Sequence, residues 1–175
     1  MMDIAELRTL YDYNYWVNRQ VMETAAGVSR PEWDTPRGAG QASLRSTFVH
    51  ILSAEWIWRM RCQERILPTE ALPEEEFEDL EAIQKRWREE EVAMRAFLST
   101  LDSEQLQEVV EYQNTKGVPL QNPLWQILVH VVHHGTQHRS EIALYLTTIG
   151  RSPGDLDLIL FLRQQADEST GAGRT

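Results

Sequence analysis

The sequence predicts an all-α protein, a four-helix bundle with a short β-hairpin before the last long helix. Three observations carry this. Four stretches of about 20 residues repeat apolar side chains at steps of three and four, which draws one stripe along a helix. Their joints hold proline, glycine or polar clusters. One joint is different, with β-branched and aromatic residues on either side of an NTKG turn. The 175 residues, 42% hydrophobic and 25% charged, suffice for one buried core. A single domain is expected over residues 1–166, with 167–175 a disordered tail.

The first helix is expected from Asp3 to Ala26, with Leu7, Tyr11, Asn14, Asn18, Val21 and Ala25 on one face. Gly27, Pro31, Pro36, Gly38 and Gly40 mark the loop that follows. Ser43 suits the N-cap of a second helix, which runs to about Gln63. Its stripe is Leu44, Phe48, Ile51, Glu55, Trp58 and Cys62. After Pro73, the acids of PEEEFEDLE suit the first turn of a third helix, where the dipole favours them. That helix continues to Leu101 through Leu80, Ile83, Trp87, Met94 and Phe97. Val109, Val110, Tyr112, Val118 and Leu120 flank the NTKG turn and predict the hairpin. The fourth helix starts near Asn122, with Pro123 in its first position, and ends at Gly150. The segment LDLILFLRQ adds a final helical turn or two.

Charge and composition exclude several classes of function. Net charge is −10 and no basic stripe exists, so nucleic acid is not an expected partner. The longest uncharged run, Gly117 to His138, carries two prolines, several glutamines and four histidines, so it is not a membrane span. The opening MMDIAELRTL has neither the basic nor the apolar region of a signal peptide. The single Cys62 excludes an internal disulfide and a cysteine zinc cage, and reads as a small buried hydrophobe. Together these predict a soluble cytoplasmic protein.

Four of the five histidines fall in HVVHHGTQHRSEI, and His130, His134 and His138 recur every four residues. Residues four apart are neighbours on one helix face, about 6 Å apart along the axis, so two such imidazoles can share an ion. Leu124, Ile127, Val131, Ile142, Tyr145 and Ile149 define the inward stripe. His134 and His138 fall inside it, His130 at its edge, and His133 well away. His130 and His138 are about 12 Å apart, too far for one ion. His134 with His138 is thus the better pair, and His130 with His134 the weaker one. A lone core histidine is more often a hydrogen-bonded packing residue, but burying two imidazoles costs free energy unless both are satisfied. A metal in a bundle also needs a ligand from another helix. His50 in the second helix offers one, or else caps a carbonyl.

Asn14 and Asn18, on the inward face of the first helix, are candidates to contact a cofactor or substrate, or else to fix helix register by hydrogen bonding. Glu55 is either a partner of His50 or a bundle-edge carboxylate paired with Arg59. Tyr11 and Tyr145 offer hydroxyls to a cavity or simply pack.

Several motifs occur in order: YNYWVNRQV in the first helix; His50 followed by Glu55 and Trp56 in the second; LWQILVHVVHHGTQHRSEI in the fourth; and a closing IG with PGDLDLILFL. Over nearly the whole chain this resembles the DinB/YfiT-like family of metal-dependent bundle proteins, named for DNA-damage induction and distinct from the polymerase that shares the name. The HVVxHGTxHR portion is its specific part. Two positions depart from the pattern: His133 stands where Asn is frequent, and Gln137 where His is frequent. The resemblance implies a homodimer. It also implies a metal held by His50, His134 and His138; imidazole ligands suit a divalent zinc, nickel or iron. Some members of the wider superfamily transfer low-molecular-weight thiols, and a related group isomerises maleylpyruvate with a thiol cofactor.

The chemistry is sound from first principles. Three neutral imidazoles leave a divalent ion its full charge and an open position, where a thiol or water becomes more acidic. The expected function is therefore a metal-dependent thiol transferase acting on a small electrophile. One alternative is a metal-dependent hydrolase or amidase. It is not an HExxH protease, since Gly135, Thr136 and Gln137 fill the turn where that motif holds its glutamate. Another is a non-catalytic metal-binding or stress-response binding module.

Overall fold

Asp3 caps α1 (Ile4–Ala25) by accepting from the Ala5 amide, and Glu6 reaches back to the Asp3 amide at 3.0 Å. The computed structural model describes residues 2–36, 42–68, 70–114 and 117–169. Within the stretch expected as plain loop lies a short helix, α2 (Arg30–Asp34). Its signal was present: Ser29 and Glu32 form a second capping box, Pro31 stands in its first turn, and Trp33 is buried. Ser43 caps α3 (Leu44–Arg59), accepting from the Ser46 amide at 3.0 Å. The helix then widens into a π turn, Met60–Glu64, and stops at Arg65, whose φ of 56° is left-handed.

The third long helix, α4 (Leu80–Ser99), starts later than the acidic run suggested. Pro73 opens only a 3₁₀ turn, Glu74–Glu76. Phe77 is buried next, in non-helical backbone, and Asp79 supplies the true N-cap to Ala82 at 2.9 Å. The hairpin is formed by β1 (Val109–Gln113) and β2 (Pro119–Pro123), antiparallel, with Val109 opposite Pro123 and Gln113 opposite Pro119. Thr115 and Lys116 of the turn lie outside the described residues; Gly117 supplies a φ of 74°. One unbroken helix, α5 (Leu124–Thr148), follows as expected. The last helix, α6 (Leu158–Ser169), is longer than the turn or two expected and enters the segment read as tail; residues 170–175 lie outside the described residues.

The four long helices form a ring in which α1 packs on α5, α5 on α3, α3 on α4 and α4 on α1. The all-α four-helix bundle with a hairpin before its last long helix is therefore the observed fold. Its connections are less obvious. Helix α1 lies diagonal to α3, and α4 diagonal to α5, so two of the three links between long helices cross the bundle. These are the links that carry α2 and the hairpin.

The apolar interior divides into two clusters. One gathers Val17, Val21, Phe48, Ile83, Trp87 and Ile142; the other Leu7, Tyr11, Cys62, Met94, Leu128 and Val132. Between them each helix contributes buried polar side chains: Asn14 and Asn18, Glu55 and Arg59, Glu90, and Arg139. Glu90 is wholly buried and takes both Arg59 Nε and Nη2, at 2.5 and 3.0 Å. Of the two roles read for Glu55, the bundle-edge pairing with Arg59 is thus corrected. Arg139 is 2% exposed and donates to Asn14 Oδ1 (2.6 Å), Asn18 Oδ1 and Thr136 Oγ1 (both 3.0 Å).

Gly135 makes room for that guanidinium. A Cβ there would sit 2.6 Å from Arg139 Nη1 and 3.3 Å from Asn14 Oδ1. The arginine cannot swing away, because its other contacts hold it inside the bundle. Gly135→Ala is expected to cost about 1–3 kcal/mol by overpacking, seen as a lower urea midpoint. An unchanged midpoint would show that the belt yields freely.

Candidate metal centre

Helix α3 brings His50 to the seam it shares with α5, where His134 and His138 stand one turn apart. One ligand atom from each of the three lies within 4.8 Å of the others. His50 Nε2 and His134 Nε2 are 3.1 Å apart, and the ring centres are 4.6–4.9 Å apart. Two nitrogens on a tetrahedral ion at the usual Zn–N distance are about 3.3 Å apart, so this spacing fits one ion. His133 is exposed and takes no part, as helix phase predicts. His130 is exposed and lies between Trp58 and His134, with ring centres at 5.7 and 5.8 Å.

The histidines occupy the edge of the bundle, not its centre: His50 is exposed and the other two are half-buried. Phase drawn through apolar residues alone placed His134 and His138 on the core face. The buried face of α5 keeps Leu124, Ile127, Val131 and Ile142 of that stripe but extends through Leu128, Val132, Gly135, Arg139 and Leu146, so its centre is turned by roughly 50°. Two of its central positions are a glycine and an arginine, which an apolar count passes over. Arg139 is the principal residue that the sequence reading missed. Its signal was its phase, in step with Leu128, Val132 and Leu146.

Burial and neighbouring imidazoles favour the neutral form of His50 and His134, as metal ligation requires. Burial, then repulsion from His138, His50 and His130, depresses His134 to about 4. His50 is lowered by burial and by His138. His138 Nδ1 meets Glu141 Oε2 at 3.0 Å, the carboxylate partner typical of a ligating histidine. Sequence spacing alone, three residues on, was the available clue to Glu141.

Asn14 and Asn18 are placed elsewhere. Both are 2% exposed and bonded to Arg139, and Asn14 also reaches Glu55 at 3.5 Å. Glu55 is equally enclosed, accepting a short hydrogen bond from the Tyr15 hydroxyl and one from Trp87 at 3.4 Å. Tyr11 and Tyr145 donate to the carbonyls of Leu128 and Glu32. Cys62 is buried, and burial pushes its thiol up to about 12, which keeps it protonated.

Burial raises Glu55 to about 7, against the opposing pull of Tyr15 and Trp87. The folded state thus holds a proton that the unfolded chain releases near its ordinary value. The resulting stabilisation is full below pH 4.5 and is lost as pH rises through 7. The unfolding free energy of wild type minus that of Glu55→Gln should therefore fall between about pH 5 and pH 8, by on the order of 3 kcal/mol. Urea titrations of both proteins at the two pH values measure it. A difference that rises with pH would reverse the sign.

Beside His50 opens a cleft of about 770 Å³, walled by α3, its π turn and the hairpin. No helix among the described residues is long and apolar enough to cross a membrane.

The similarities to known proteins agree with this architecture. Protein DinB of Bacillus subtilis is 26% identical over 159 residues, covering 87% of this chain and 92% of that protein. Among solved structures, YfiT from Bacillus subtilis superposes with a TM-score of 0.66 at 15% identity, over 87% of this chain and 92% of that one. It is described as a probable metal-dependent hydrolase with an unusual four-helix bundle topology. A DinB-like protein from Bacillus cereus gives 0.63 at 14% identity, over 87% and 97%. At such identities the two structures speak for the fold alone. The DinB family model matches residues 1–170, and the chain belongs to the DinB family.

Proposed function

We propose that this protein is a metal-dependent enzyme. In this reading His50, His134 and His138 hold a divalent ion, and its open side activates a low-molecular-weight thiol toward a small electrophile in the adjoining cleft. The observation that carries it is the convergence of three imidazoles from two helices, one of which, His50, also lines that cleft. A divalent ion in such a site supplies Lewis acidity, which makes a bound thiol or water more acidic. The chain's own residues set up the rest. As a ligand, His138 would give its Nδ1–H to Glu141 and present the lone pair of Nε2. Glu141→Gln is expected to weaken metal affinity by about 10–100-fold, measured by competition with a chelating dye. An unchanged affinity would mean that Glu141 does not orient the ring.

A thiol suits the site because its ordinary pKa of about 8.5 needs little help to reach the thiolate. Water needs more help, and the protease glutamate is replaced while Glu55 is sealed inside the bundle. Hydrolysis is the second reading, supported by the description of YfiT and by His130 beside His134 as a base. Elemental analysis of the purified protein followed by a panel of thiols and electrophiles separates them. Turnover that needs both metal and thiol supports transfer, and turnover that needs metal alone supports hydrolysis. No turnover, with a fourth protein ligand closing the ion, would replace both with a structural metal.

A further inference from the structure

We propose that the cleft beside the histidines selects an elongated, apolar substrate ending in a carboxylate, and that Arg61 holds that carboxylate at the end remote from His50. One stripe of α3 and its π turn lines the cleft: His50, Ala54, Ile57, Trp58 and Arg61. Arg61 lies about 16 Å along the axis from His50 and on nearly the same side. Its guanidinium carbon sits 4.7 Å over the Trp58 ring and 5.9 Å from that of Tyr112, and those two rings meet edge-on at 5.0 Å. Stacking of this kind fixes the plane of the guanidinium.

Arg61 is a half-buried cation at the cleft with no carboxylate partner among the described residues. Arg59 is matched by Glu90, and Arg139 by Asn14, Asn18 and Thr136. Arg61 forms no ion pair among the described residues, and its Nε is buried without a hydrogen-bond partner. A buried N–H left unpaired costs free energy, and a carboxylate would offer two acceptors to a planar fork. A monoanion matches the single charge. Glu70 lines the same cleft and the chain carries −10 overall, which opposes a dianionic phosphate. Leu67 and Leu120 line it while more than 40% exposed, so the body of the ligand meets apolar surface.

The choice of His50 as the reacting end rests on the proposed metal site; the carboxylate preference does not. The test is calorimetric titration of the full chain, as purified and after chelation, with phenylhexanoate, its primary amide and phenylhexylamine. The acid should bind at least about tenfold more tightly than the amide in both states, as one charged hydrogen-bonded pair allows. Arg61→Gln should erase that preference and Arg61→Lys should reduce it several-fold, while Arg65→Gln, on the exposed end of the π turn, should keep it. The lysine variant keeps the charge and reads the same contact if the glutamine variant does not fold. Equal binding of acid and amide, preference for the amine, or a preference that survives Arg61→Gln would overturn the proposal. A preference seen only with metal and indifferent to Arg61 would place the anion on the ion and overturn it too. If the purified protein holds no metal, the metal reading fails while the chelated titrations still decide on Arg61.

Discussion

Arg139→Met is expected to lower stability by about 3–5 kcal/mol, a large share of the roughly 5–15 kcal/mol that holds a domain of this size together. The side chain is 2% exposed, and although burial brings its pKa down to about 10 it stays charged at neutral pH. Removing it leaves Asn14 Oδ1, Asn18 Oδ1 and the Thr136 hydroxyl without their donor. It also takes from Glu55 a cation that draws its pKa down. Methionine fills much of the volume, so the loss reads polar satisfaction more than cavity. Arg139→Lys keeps the charge but not the fork, and should fall between the two. Urea denaturation with fluorescence and circular dichroism measures all three proteins. A loss under about 1 kcal/mol would mean that the polar belt repairs itself, for example by admitting water.

The largest functional effect is expected at the histidines. His50→Ala, His134→Ala and His138→Ala should each abolish stoichiometric metal, because two imidazoles on an exposed seam bind far more weakly than three. His133→Ala should leave the metal in place, since that side chain faces away from the cluster. His130→Ala should retain it as well, because the three-nitrogen cluster excludes His130. Elemental analysis after gel filtration reads the outcome. Metal lost from His133→Ala and kept by His138→Ala would overturn the assignment.

Much of this was legible in the residues. Every member of the stripe read on α1 is buried, and the hairpin falls where β-branched residues flank a polar turn. The His134 and His138 pair followed from spacing, because a helix fixes which residues are neighbours. His50 was less accessible, since its place beside them depends on which helices adjoin, and the diagonal links are not written in any local pattern. The belt was half visible. Asn14, Asn18 and Glu55 sit on apolar stripes, yet their common partner Arg139 looked like one more surface charge. Glu90 escaped in the same way, within a run of acids that reads as a solvated face. A charge is hard to recognise as buried when its counter-charge comes from a distant helix. Arg59 and Glu90 are 31 residues apart, and Arg139 and Asn14 are 125 apart.

The placement of the histidines also bears on how the molecule comes apart. His50 and His134 are separated by 84 residues and by a link that crosses the bundle. An ion shared between them would act as a removable cross-link that closes a long loop. Loop entropy alone assigns such a clasp on the order of 4–5 kcal/mol. The clasp can close only once α3 and α5 have docked against each other. Its grip would then be felt in the rate of opening and hardly in the rate of folding. Metal supply would set the lifetime of the native state as well as its chemistry, and a starved cell would hold the same fold on a shorter lease.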